Sequence, residues 1–124
     1  MILLFAVAMM TSQVTENCDN PITQTDMNIC AAQDARQADA SLNKQWSTTV
    51  AALKAADRQS KEKPTEFEKA LDAQRAWLKY RDAHCTGIAF YARGGSMESM
   101  LYGHCYADLT RERTKQLKEL MRTN

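Results

Sequence analysis

LDAQRAWLKYRDAHC, residues 71–85, carries Leu71, Gln74, Trp77, Leu78, Arg81 and Cys85 at intervals of three and four. That spacing predicts one face of an α-helix ending on a cysteine. The stripe extends outward, back to Phe67 and Ala70 and forward to Ile88. Three further cysteines, Cys18, Cys30 and Cys105, stand in a chain of only 124 residues that opens on an apolar segment. Such a combination points to an oxidising compartment, where thiols pair, and argues against a cytosolic enzyme.

Two more helices follow from the same periodicity. Before the opening stretch, Met27, Ala31, Ala35, Ala38, Leu42, Trp46, Thr49, Leu53 and Ala56 keep a spacing of three and four, a sustained helical signal. Thr23 or Thr25 can cap this helix, with Asp26 in its first turn. It should stop within residues 57–63, a charged linker before Pro64, and Pro64 or Thr65 should open the second helix. Gly94 and Gly95 break the second helix, with Ser96 positioned to cap a third. The third carries Met97, Leu101, Cys105, Leu109, Arg113, Gln116, Leu117, Leu120 and Met121. Gly103 inside it costs about 1 kcal/mol relative to Ala and suggests a close approach by another backbone. The fold class is therefore all-α, an antiparallel three-helix bundle with an N-terminal arm and two disulfides. With the turn centred on Gly95, Cys85 and Cys105 are equidistant from it and face each other across the second and third helices. Cys18 and Cys30 then tie the arm to the first helix. A second pairing, Cys30–Cys85 with Cys18–Cys105, also satisfies the topology, and the consecutive one is preferred.

Composition narrows the function. Acids and bases nearly balance at a net charge of +1, and 25% of residues are charged, so no basic stripe marks a nucleic-acid binder. Asp19, Asp26, Asp34 and Asp39 gather early, while Arg111, Arg113, Lys115, Lys118 and Arg122 gather late, as helix dipoles favour. Residues 1–10, MILLFAVAMM, are too short to cross a bilayer core of about 30 Å and read as the apolar part of a signal peptide, though no Lys or Arg precedes them. Residues 1–12 are accordingly expected to be a signal-peptide remnant and residues 13–124 a single helical domain. The mature chain, starting between Met9 and Glu16, is expected in the periplasm or outside the cell, without stable membrane insertion.

Three stretches resemble the LprI-type lysozyme-inhibitor family of small bacterial secreted or envelope proteins. They are CDN at residues 18–20 with TQTDMNICA at 23–31, ADASLN at 38–43, and AQRAWLKYRDAHC at 73–85; Gly94, Gly95, Ser96 and Cys105 complete the pattern. The resemblance spans about residues 18–120. It implies a helical, disulfide-linked domain outside the cytoplasm and a role in binding and inhibiting lysozyme. That role belongs to some relatives and not to every member, and no catalytic residues come with it.

Individual residues divide into support and contact. Trp77 can fill the core while its N–H finds a partner. Arg81, one turn later, can stack on that ring or pair with an acid of the first helix. Gln74 and Asp82 belong to the same motif. His84 and His104 each precede a cysteine, but adjacent helical residues point about 100° apart and resist shared ligation. No metal, cofactor or catalytic residue is expected. Residues 90–97, FYARGGSM, are the interaction candidate: Tyr91 and Arg93 on a turn made flexible by Gly94 and Gly95. The function expected is that of a non-enzymatic binding protein that occludes the cleft of a lysozyme or other muramidase. The alternative is an envelope adaptor module with no lysozyme target.

Overall fold

The computed structural model describes residues 18–121; the expected signal-peptide remnant and the range of mature starts lie outside the described residues. Thr23, not Thr25, caps the first helix, α1 (Gln24–Asp57), its hydroxyl accepting from the Asp26 N–H at 3.1 Å. The second helix, α2 (Glu66–Ala89), opens on a reciprocal cap in which Thr65 and Glu68 satisfy each other's backbone N–H groups. Asp57, the last residue of α1, reaches across the linker. Its two carboxylate oxygens accept the Glu66 and Phe67 N–H groups at 3.0 Å each, satisfying donors that a helix start leaves unpaired. A short 3-10 turn (Phe90–Ala92) ends the second segment, and α3 (Glu98–Glu119) completes the bundle.

Consecutive helices run antiparallel, so α1 and α3 are parallel, and they make the most extensive contact in the fold. Small residues permit it. A Cβ built on Gly103 would lie 3.1 Å from the Ala31 backbone and side chain. Ala31, Ala38 and Ala107 are buried in the core, and Thr49 donates to the Leu117 carbonyl at 2.9 Å. Leu42, Leu53 and Leu117 are the largest aliphatic side chains buried there. Close approach leaves little room for a thick apolar core, so covalent links carry more of the stability than in a larger domain.

The cysteines pair consecutively: Cys18–Cys30 and Cys85–Cys105, with Cα separations of 5.4 and 5.5 Å. Cys85 is fully buried, and its link holds the C-terminal end of α2 to α3. Each closed loop contributes about 3 kcal/mol in the chain-entropy account.

Two local expectations are corrected. Ile88 was placed on the buried stripe, yet it is 47% exposed and Ala89 is buried instead. Within α2 the buried face steps by four residues from Arg81 to Cys85 to Ala89, which leaves Ile88, three residues after Cys85, at the edge of that face. Ser96 does not cap α3: Met97 occupies the N-cap position without a side-chain bond, because Ser96 is held in the turn through its carbonyl by Asn28.

The two glycines inside helices should respond oppositely to alanine. At Gly87 a Cβ meets nothing within 4 Å, so Gly87→Ala should raise stability by up to about 1 kcal/mol. Gly103→Ala forces α1 and α3 apart and should cost about 1–3 kcal/mol. Chemical denaturation of the oxidised proteins measures both.

Candidate functional site

Two clusters gather the residues singled out in the sequence. The first is internal and surrounds Arg81, 6% exposed. Its guanidinium carbon lies 3.8 Å from the centroid of the Tyr106 ring and 5.2 Å from that of Trp77. The Arg81 Nε donates to Asp82 at 3.0 Å, and Nη1 lies 3.6 Å from Asp39 Oδ1 on α1. That last separation is a charge contact and not a hydrogen bond; Nη1 is buried without a hydrogen-bond partner. Tyr106 donates its hydroxyl to the same Asp39 oxygen at 2.9 Å. Burial, reinforced by that bond, pushes the Tyr106 pKa up to about 12.

Gln74 extends the cluster, accepting from Arg113 Nε at 2.9 Å. The Arg113 guanidinium also approaches the Trp77 ring, at 5.9 Å, and burial lowers its pKa. Gln74, Trp77, Arg81 and Asp82 therefore lie in one network that joins all three helices. Both contacts open to Arg81 from the sequence, stacking on Trp77 and pairing with a first-helix acid, occur together. Tyr106 and Asp39 were not anticipated as its partners. Arg113 left a signal, a lone cation on an otherwise apolar stripe of α3.

The second cluster is the turn at residues 90–97. Tyr91 is 91% exposed, with Phe90 and Met97 also open to solvent. The backbone beneath them is held from several sides. Gly94 has φ of 77°, a left-handed conformation that side chains disfavour, and its N–H donates to Glu98 at 2.7 Å. Gly95 donates to the Ala92 carbonyl at 2.8 Å, and Asn28 donates to the Ser96 carbonyl at 2.8 Å. Arg93 folds over the Phe90 ring, 4.3 Å from its centroid, leaving Tyr91 as the projecting side chain. The Cys85–Cys105 link lies at the base of the turn. Asn28 and Glu98 were missed by sequence reasoning, since neither spacing nor charge connects them to the turn. Beside the turn runs a groove of about 1010 Å³, with Asn28 and Ala32 on one wall and Phe90 and Arg93 on the other, over Tyr102 and Gly103.

The early acids are partly engaged within the fold. Arg111 makes a two-pronged contact with Asp34 at 2.7 and 3.1 Å, which lowers the Asp34 pKa. Asp39 belongs to the internal cluster. His84 stacks on Tyr80 with ring centroids 5.3 Å apart.

Alkaline pH should probe the internal cluster. A group whose pKa is raised by folding stabilises the native state below its unfolded value and stops doing so above its folded one. Stability held by neutral Tyr106 should therefore be lost between about pH 10 and about pH 12. A tyrosinate absorbance titration should contain a step near the latter that Tyr106→Phe removes.

The family described as "Lysozyme inhibitor LprI" matches residues 15–117. An uncharacterised protein of Rhizobium meliloti (strain 1021) is 47% identical over 125 residues, covering 97% of this chain and 90% of that one. No solved structure matches the chain. Among the described residues, no helix is long and apolar enough to cross a membrane. The two cysteine links, the cluster at residues 74–82 and the glycine turn all fall within the matched span, and the chain belongs to the LprI lysozyme-inhibitor family.

Proposed function

We propose that this protein is a secreted or periplasmic binding protein that inhibits a lysozyme or related muramidase by seating the turn at residues 90–97 in the enzyme's saccharide cleft. It acts by occupancy and performs no chemistry of its own. The observation that carries this reading is Tyr91, almost wholly exposed on a turn fixed by the Gly94, Gly95 and Ser96 backbone bonds. An exposed aromatic on a rigid mount binds with little ordering cost and is the side-chain type that dominates interface energetics. Arg93, stacked on Phe90, offers a cation to the carboxylates of a muramidase cleft. With Asp34 and Asp39 engaged internally, Asp19 in the N-terminal arm and Asp26 in the first turn of α1 remain as acids that can steer a basic enzyme. Two disulfides favour an oxidising location.

The groove beside the turn favours the second reading, an envelope adaptor that receives a partner segment and has no muramidase target.

Lysozyme turnover titrated with the purified, oxidised protein tests both. Saturable inhibition is expected, weakened about tenfold or more by Tyr91→Ala, the effect of losing about 1.4 kcal/mol or more of contact. Arg93→Ala should weaken it less, and Lys115→Ala should leave it unchanged. Inhibition indifferent to Tyr91→Ala would move the contact surface away from the turn. Full turnover at saturating protein, with animal-type and bacterial muramidases alike, would leave the adaptor reading.

A further inference from the structure

Arg81 and Arg113 are both drawn into the fold, yet their charges are offset differently. Arg81 has Asp82 at 3.0 Å and Asp39 at 3.6 Å. Arg113 has neutral partners: its Nε donates to Gln74 at 2.9 Å and its Nη1 to Gln116 at 3.2 Å. Its Nη2 is buried with no hydrogen-bond partner. Among the described residues no carboxylate forms an ion pair with Arg113, and burial alone accounts for its lowered pKa. A cation taken out of water without a counter-charge is unfavourable.

Arg113 and Gln116 stand in the wall of a cavity of about 520 Å³ between α2 and α3, with Leu53 of α1 beneath it. That volume is in the range of small-molecule sites. The cavity lies at the opposite end of α2 from the glycine turn, so it is separate from the muramidase contact proposed above. Leu53 and Ala70, both buried, give it an apolar floor, and Ala73 and Leu120 continue the apolar lining. The rim is acidic. Glu66 and Glu119 are exposed there, while Lys69 beside them lies 4.0 Å from Asp72. The site thus combines an uncompensated cation within, small aliphatic walls and carboxylates at the mouth.

We propose that this cavity binds a small zwitterion, a short aliphatic peptide, with its carboxylate on Arg113 and its ammonium toward Glu66 and Glu119. Gln116 holds the place of that carboxylate. Its neutral Oε1 sits on Nη1 at the long end of the hydrogen-bond range, on an exposed side chain that can swing aside. A carboxylate in its stead takes Nη1 and Nη2 together, the two-pronged, charge-assisted geometry to which a guanidinium is suited. The orphaned Nη2 gains an acceptor, and the desolvated cation gains its counter-charge. Gln74, through Nε, fixes the plane in which the carboxylate is received. Methyl-sized side chains of the ligand rest on the apolar floor. The acids at the rim repel polyanions and favour a ligand that carries an amine beside its single carboxylate.

Titration of the isotope-labelled, oxidised protein with alanyl-alanine, followed through its amide NMR shifts and without any enzyme, tests the site. Saturable shifts centred on residues 66–73 and 113–120 are expected. The Kd should be about 1 mM or tighter, the affinity that a few charge-assisted bonds support. Alanyl-alanine amide lacks the carboxylate and acetyl-alanyl-alanine lacks the ammonium; each should bind at least about tenfold more weakly. Ala73→Phe fills the cavity and should abolish binding. Gln116→Ala removes the internal competitor and should strengthen it. Both positions are exposed, so both variants should fold, which thermal melts check. No saturation up to about 10 mM, a blocked peptide that binds as well as its parent, or a Gln116→Ala protein that binds no better overturns the proposal.

Discussion

The close approach of α1 and α3 at Ala31 and Gly103 is the constraint to which the rest of this fold answers. Where the two parallel helices come so near, only small side chains fit between them, which is why alanines and threonines share the interior with Leu42, Leu53 and Leu117. At Ala31 and Gly103, dispersion contacts involving the backbone take the place of larger aliphatic side chains. The exchange leaves α2 with a shallow apolar seat, and its position then depends on interactions of other kinds.

Those interactions are distributed along its length. Asp57 caps its start, the Arg81 cluster grips its middle, and the Cys85–Cys105 link closes its end. A buried guanidinium is costly to desolvate, and here the cost is offset by two aromatic faces and two carboxylates. The arrangement demands particular partners at particular distances, so it selects one register of α2 against the other two helices. The register in turn decides where the chain leaves α2 and hence how the glycine turn is presented.

Much of this was legible in the sequence because helical periodicity, cap residues and cysteine spacing are local signals. Thr23, Thr65 and the glycine pair mark boundaries that the structure keeps, and the cysteines equidistant from Gly95 give their own pairing. Ser96 misled because its hydroxyl suits a cap, while a tertiary bond from Asn28 to its carbonyl decided the geometry instead. Ile88 misled because intervals of three and four both fit a helical stripe, and here the buried face follows the step of four from Cys85 to Ala89. Tyr106 and Asp39 could not have been matched to Arg81 in advance. Their meeting depends on the axial offset between α1 and α3, which small-residue packing sets and no single residue advertises. The turn was visible as a break; its rigidity, supplied by Asn28 and Glu98, was not.

Asp57 has a consequence for how such chains can vary. Because its carboxylate fixes the start of α2 directly to the end of α1, the intervening residues 58–64 transmit no positional information between the helices. Their exposed, lysine-rich backbone can gain or lose residues at a small entropic cost that grows only with the logarithm of length. The bundle thus contains a natural splice point, at which a reporter, an affinity handle or an entire second domain can be inserted while the far end of the molecule keeps its shape.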